Sequence, residues 1–129
     1  MGMVEAIRDE WERDLRSKRY PQTHGTLHRA VARYTAPGFC CLGVLCEQAV
    51  RAGIVVRVPC DDGRVGYGDP DGAHIWWGTL PYAVQEWAGL TSDDPKVTVP
   101  GMDRALPLSR CNDGLRLPFD VIADLVRTL

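Results

Sequence analysis

A mixed α+β fold follows from three observations: amphipathic periodicity at both ends of the chain, one strongly apolar segment at residues 39–52, and a Gly- and Pro-rich middle whose β-branched residues flank an Asp-Gly turn. The expected arrangement is about four helices packed around a central hydrophobic helix (39–52), with a small antiparallel β-sheet (54–78), in a single globular domain over residues 1–129. At 129 residues, 45% hydrophobic and 25% charged, the chain can bury a core and lacks the composition of a disordered protein.

The elements follow in order. Val4, Ile7, Trp11 and Leu15 recur at three- and four-residue steps among charged residues, the pattern of a helix with one buried stripe from Val4 to about Lys18. Pro21 and Gly25 break it, and Tyr20 to Thr26 reads as an ordered loop before a short segment around Leu27–Val31. Ala36-Pro37-Gly38 is a turn. Phe39 to Ala52 is the most hydrophobic element and ends at Gly53, a natural helix C′ residue. As a helix it sets Leu42, Leu45, Cys46 and Ala49 on one face, with Gly43 on the flank, where a missing side chain lets a neighbouring backbone approach. Val55 to Val58 and Arg64 to Tyr67 bracket Cys60-Asp61-Asp62-Gly63 as an antiparallel hairpin, and Ala73 to Gly78 is a candidate third strand. Pro81 opens a short helix with Val84, Trp87 and Ala88 on its apolar face and Gly89 at its end. Lys96–Val99 is one further candidate strand. The last helix starts near Pro118 and carries Phe119, Ile122, Ala123, Val126 and Leu129 on one side.

Fifteen basic residues against 17 acidic ones give a net charge of -2, without the basic footprint that phosphate-backbone binding needs, so nucleic acid is not the expected partner. Thirteen of the 15 are Arg, a bias that fits a GC-rich coding genome. No apolar run approaches the roughly 20 residues of a membrane span, and the chain's start carries no export or myristoylation signal. The expected location is therefore cytoplasmic, where five cysteines stay reduced.

Those cysteines lack the paired spacing of a structural zinc site, so neither a metal nor another cofactor is expected. Cys40 or Cys41, at the start of a helix, is a candidate nucleophile, because unpaired amides and the helix dipole stabilise a thiolate. With His74 as base, Asn112 or Asp113 as orienter and Gln22 for the oxyanion, the order suits a papain-like or peptidoglycan-hydrolase-like cysteine hydrolase. The local signatures of those enzymes are absent, and small buried hydrophobes are the plainer reading. His24 and His28 are isolated, and Asp61-Asp62 and Asp93-Asp94 fall in turns. Trp76 and Trp77, adjacent on a strand, must face opposite ways: one can be core while the other is exposed or covered by the loop Thr91 to Met102. An exposed aromatic beside Tyr67 or His74 suits a protein partner or a stacked ligand.

The run Phe39-Cys40-Cys41-Leu42-Gly43-Val44-Leu45-Cys46 resembles a family of small, uncharacterised proteins encoded by tailed bacteriophages and prophages. The loop Tyr20 to Leu27, the segment Leu80-Pro81 with Val84 and Trp87 to Leu90, and the closing Asn112-Asp113 with Phe119, Ile122, Ala123 and Asp124 are similar to it as well. Leu117-Pro118 departs from it, standing where a Ser usually caps the last helix. The resemblance implies a phage or prophage origin in a GC-rich, actinobacterial host, and it supplies no reaction. The expected function is that of a non-enzymatic accessory protein that binds a host or phage protein through Trp76, Trp77 and Tyr67. Gln22, Asn112 and Asp113 are further candidate binding residues: as polar side chains in turns they either position the helices or line one pocket with Cys40 or Cys41 at its floor. A cysteine hydrolase, and a small-ligand-binding or sequestering protein with a pocket at Gln22, Cys41 and Asn112, are the alternatives.

Overall fold

A computed structural model describes residues 2–30 and 36–129, so Val31, the end of the expected 27–31 segment, lies outside the described residues. Among the described residues there are five helices and three small antiparallel sheets, a mixed α+β architecture.

Helix α1 (Glu5–Arg16) buries Trp11 and Leu15, whereas Val4 sits at its N-cap and is exposed. It packs along α5 (Phe119–Val126) and against α2 (Cys41–Arg51), and the Trp11 indole Nε1–H donates to the Cys41 carbonyl at 2.9 Å. A single apolar face understates α2: every residue from Cys41 to Ala49 is buried, including Glu47 and Gln48. Leu27 explains Gly43. Its carbonyl accepts from the Cys40 N–H at 3.0 Å, and a Cβ on Gly43 would lie 1.9 Å from the same oxygen. No larger residue fits there without moving backbone.

Strand β1 (His28–Arg29) pairs with β2 (Gly38–Phe39). Beyond α2, β3 (Val56–Pro59), β4 (Val65–Gly68) and β5 (Ile75–Trp76) form the expected antiparallel sheet in the order β3-β4-β5. Its first turn is closed by the Gly63 N–H donating to the Cys60 carbonyl, with Gly63 at φ +90°, where a side chain would be strained. The short helix α3 (Tyr82–Ala88) has Pro81 as its N-cap and left-handed Gly89 as its C-cap. Strand β6 (Lys96–Thr98) pairs with β7 (Ala105–Pro107), which runs directly into α4 (Leu108–Asp113). Both β7 and α4 fall in a stretch without a helical or alternating period. Six residues give α4 under two turns, and only Leu108, Cys111 and Asn112 of it are buried. Helix α5 starts after Pro118 as expected and stops at Val126, short of Leu129.

Candidate functional site

The first turn of α2 carries the cysteines with a chemical case. Cys40 is the N-cap, its Sγ accepting from the Gly43 N–H, and Cys41 is wholly buried with its Sγ 3.7 Å from the Leu108 carbonyl. Burial pushes the Cys40 thiol up to about 12 and the Cys41 thiol well above its ordinary value, against the helix-start effect. Both are neutral at physiological pH, and a neutral buried thiol is a poor nucleophile.

Asn112 holds this turn in place. It is fully buried: its Oδ1 accepts from Gln22 Nε2 at 2.8 Å and from the Cys41 N–H at 3.3 Å, while its Nδ2 donates to the Thr23 carbonyl at 2.9 Å and to Asp113 Oδ1 at 2.8 Å. Gln22 Nε2 also donates to the Leu117 carbonyl. Both Asn112 amide hydrogens and both of its lone pairs are used, so Gln22, Cys41, Asn112 and Asp113 form a closed clamp joining loop 20–26, α2 and α4. Asn112 itself has no capacity left for a substrate. The groove beside Gln22 is walled by Lys18, Tyr20, Phe119 and Asp120, with no cysteine at its floor, which corrects the expected pocket.

His74 lies elsewhere. It sits after the β4–β5 turn with its side chain 73% exposed, 3.6 Å from Asp69 and tilted on the Trp76 ring. No described hydrogen bond joins a histidine to a cysteine, and the Cys-His-Asn arrangement is therefore not assembled. Among the described residues, no group of three His, Cys, Asp or Glu side chains could hold a metal ion.

A second polar cluster escapes the sequence reading. On the second turn of α2, the Glu47 carboxylate is 7% exposed and accepts from Arg57 Nε at 3.1 and 2.9 Å, from Arg57 Nη2, and from the Tyr67 hydroxyl at 2.6 Å. Tyr67 spends its one hydrogen on Glu47, so the 3.1 Å contact with His28 Nδ1 requires the imidazole to donate there. The His28 ring also stacks on Phe39, with centroids 4.0 Å apart. Burial pulls Glu47 up, but the hydrogen bonds from Arg57 and Tyr67 and the Arg57 charge outweigh it, so its proton affinity ends below the ordinary carboxylate value. Burial also lowers His28, and burial followed by the Glu47 charge raises Tyr67. The cluster is a charged staple tying α2 to β1, β3 and β4. The available signal was a carboxylate, Glu47, inside the most apolar run of the chain, since a buried charge demands a partner.

Tyr67, expected at a binding surface, is instead core, and its cross-strand neighbour Trp76 shares the inner face. The opposite face of the sheet points outward. There Val56, Val58, Ile75 and Trp77 surround Gly66 and Gly68, and Cβ atoms on these glycines would come within 2.9 Å of Ile75, the Trp77 ring or backbone. Val56 and Ile75 are exposed and Trp77 is half-buried, its ring under the Arg64 guanidinium at 5.2 Å. The two tryptophans do face opposite ways.

No curated protein and no solved structure matches the chain. One family model, described as a domain of unknown function (DUF8296), matches residues 3–129, which contain the clamp, the charged staple and the outward sheet face. Nearly the whole chain is covered, and the protein belongs to the DUF8296 family.

Proposed function

We propose that this chain is a non-enzymatic accessory protein of phage or prophage origin that binds a host or phage protein in the cytoplasm, docking it on the outward face of the β3–β5 sheet. The observation that carries this reading is the apolar surface of Val56, Ile75 and Trp77 laid over two glycines, with exposed aliphatic side chains that no part of the described chain covers. Trp77 under Arg64 supplies the aromatic and guanidinium pairing that interface centres favour. The buried, neutral thiols and the closed Asn112 clamp support a binding role over a hydrolytic one. The phage origin and the actinobacterial host rest on the motif resemblance and the arginine bias. No described helix is long and apolar enough to cross a membrane.

The test is affinity capture from host and phage lysates with the wild type and with the double variant Val56→Lys and Ile75→Lys, which alters two exposed positions. The expected result is a specific protein retained by the wild type and lost by the double variant, with both proteins melting at the same temperature. Identical capture by both, or no specific capture, contradicts the assignment of this face.

A further inference from the structure

On the other side of β5, Trp76, Tyr82, Gln85, Thr91, Ser92 and Asp93 line an open groove of about 330 Å³. Its two walls are fixed to each other, because the Leu80 N–H at the entry to α3 donates to the Asp93 carbonyl at 2.9 Å. The Trp76 and Tyr82 rings stand 5.6 Å apart at 82°, forming a corner, and Tyr82 is 74% exposed. The polar groups around this corner have unused capacity. Gln85 spends an amide hydrogen on the Leu80 carbonyl, which turns its Oε1 into a spare acceptor. Ser92 Oγ accepts from the Asp94 N–H and keeps its own hydrogen to donate. The Asp93 carboxylate has no side-chain hydrogen bond among the described residues.

We infer that this groove is a binding subsite for a neutral saccharide, one pyranose ring stacking its C–H face on the aromatic corner while its hydroxyls bond Gln85, Ser92 and Asp93. Each feature selects against the other ligand classes. The lining holds a carboxylate and no Lys or Arg, so a phosphate or nucleotide would meet repulsion without compensation. A planar base would stack on only one of two rings at 82°, with no matching contact for its polar edge on the other. A polyol, by contrast, brings several donors and acceptors to a site rich in both and an apolar face to its aromatic wall. The groove is separate from the outward sheet face, and this inference does not depend on the protein-partner reading.

The test follows the four tryptophan indole N–H signals of the ¹⁵N-labelled protein during titration with glucose, N-acetylglucosamine, maltose and cellobiose. Choline chloride, adenosine and inorganic phosphate serve as the cationic, planar and anionic alternatives. A saturable shift of the Trp76 signal with at least one sugar is expected, with the Trp11 signal unmoved because that indole is buried on the Cys41 carbonyl. Tyr82→Ala and Asp93→Asn, both at exposed positions, should each weaken the interaction about tenfold, roughly one strong polar or stacking contact. No saturable shift with any of the four sugars overturns the inference. So does a Trp76 shift produced only by choline, adenosine or phosphate.

Discussion

Two successive turns of α2 solve the same problem with different chemistry. At its first turn, buried polar groups are satisfied by a neutral amide, Asn112, whose four hydrogen-bonding positions are all taken by backbone and side-chain partners. At its second turn they are satisfied by an ion pair, Glu47 with Arg57, closed by Tyr67 and His28. The central group of the clamp is an uncharged amide that cannot titrate, whereas the staple is built on a carboxylate and an imidazole that can. The helix is thus pinned at its first turn through a neutral side chain and at its second through an ion pair. Asn112 and the Glu47 carboxylate are both spent on internal partners, which favours the surface over either cluster as the place where other molecules bind.

Breaking the Asn112 clamp should have the largest effect. Asn112→Ala removes four hydrogen bonds at once and strands the Cys41 N–H and the Thr23 carbonyl, at a cost of about 3–5 kcal/mol. Urea unfolding would measure it, and a loss under about 1 kcal/mol would mean that water replaces the amide. Gly43→Ala comes next. The Leu27 backbone must retreat from the new methyl, so about 3 kcal/mol should be lost, in contrast to the gain that Gly→Ala brings at an ordinary helix position.

The charged staple is predicted to be weaker and pH-dependent. Tyr67→Phe deletes the hydroxyl between Glu47 and His28 and should cost about 1.5–3 kcal/mol at pH 7, as for a hydrogen bond to a charged group. Glu47 binds its proton less readily folded than unfolded, so its stabilisation is complete above about pH 4.5 and drains away as pH falls below that value. His28, also lowered, behaves in the same sense from about pH 6.5 downward. In Glu47→Gln the loss below pH 4.5 should be smaller than in the wild type, while Asn112→Ala should parallel the wild-type curve. Chemical denaturation from pH 7 to pH 3.5 reads all three, and parallel curves for wild type and Glu47→Gln would remove the charged staple from this account.

Local signals marked most of the fold. Helix α1, the hairpin at Asp62-Gly63, the Pro81-to-Gly89 helix and α5 each carry their own period, cap or turn within a few residues. Strands β1, β2 and β7 have two or three residues each, too few for an alternation to register, and only distant partners define them. The same holds for the two clusters. Gln22 and Asn112 could be picked out as polar residues beside apolar segments, but their 2.8 Å contact spans 90 positions. Glu47, Arg57, Tyr67 and His28 come from four elements, and no spacing rule links them. Alternation along Arg64 to Gly68 does not say which face of the hairpin is inward, so Tyr67, between Gly66 and Gly68, reads equally as surface or core. In the sheet those glycines make room for Ile75 and Trp77 on one face while Tyr67 fills the core on the other.

Thiol labelling separates packing from chemistry in the cysteine-rich segment. The native protein would be treated with iodoacetamide between pH 6 and 8.5 and mapped by mass spectrometry. Cys40, Cys41, Cys46 and Cys111 are expected to stay unmodified across the range while half-buried Cys60 reacts. Rapid modification of Cys40 or Cys41 at pH 6, in protein that remains folded, would contradict the packing role and return the segment to catalysis.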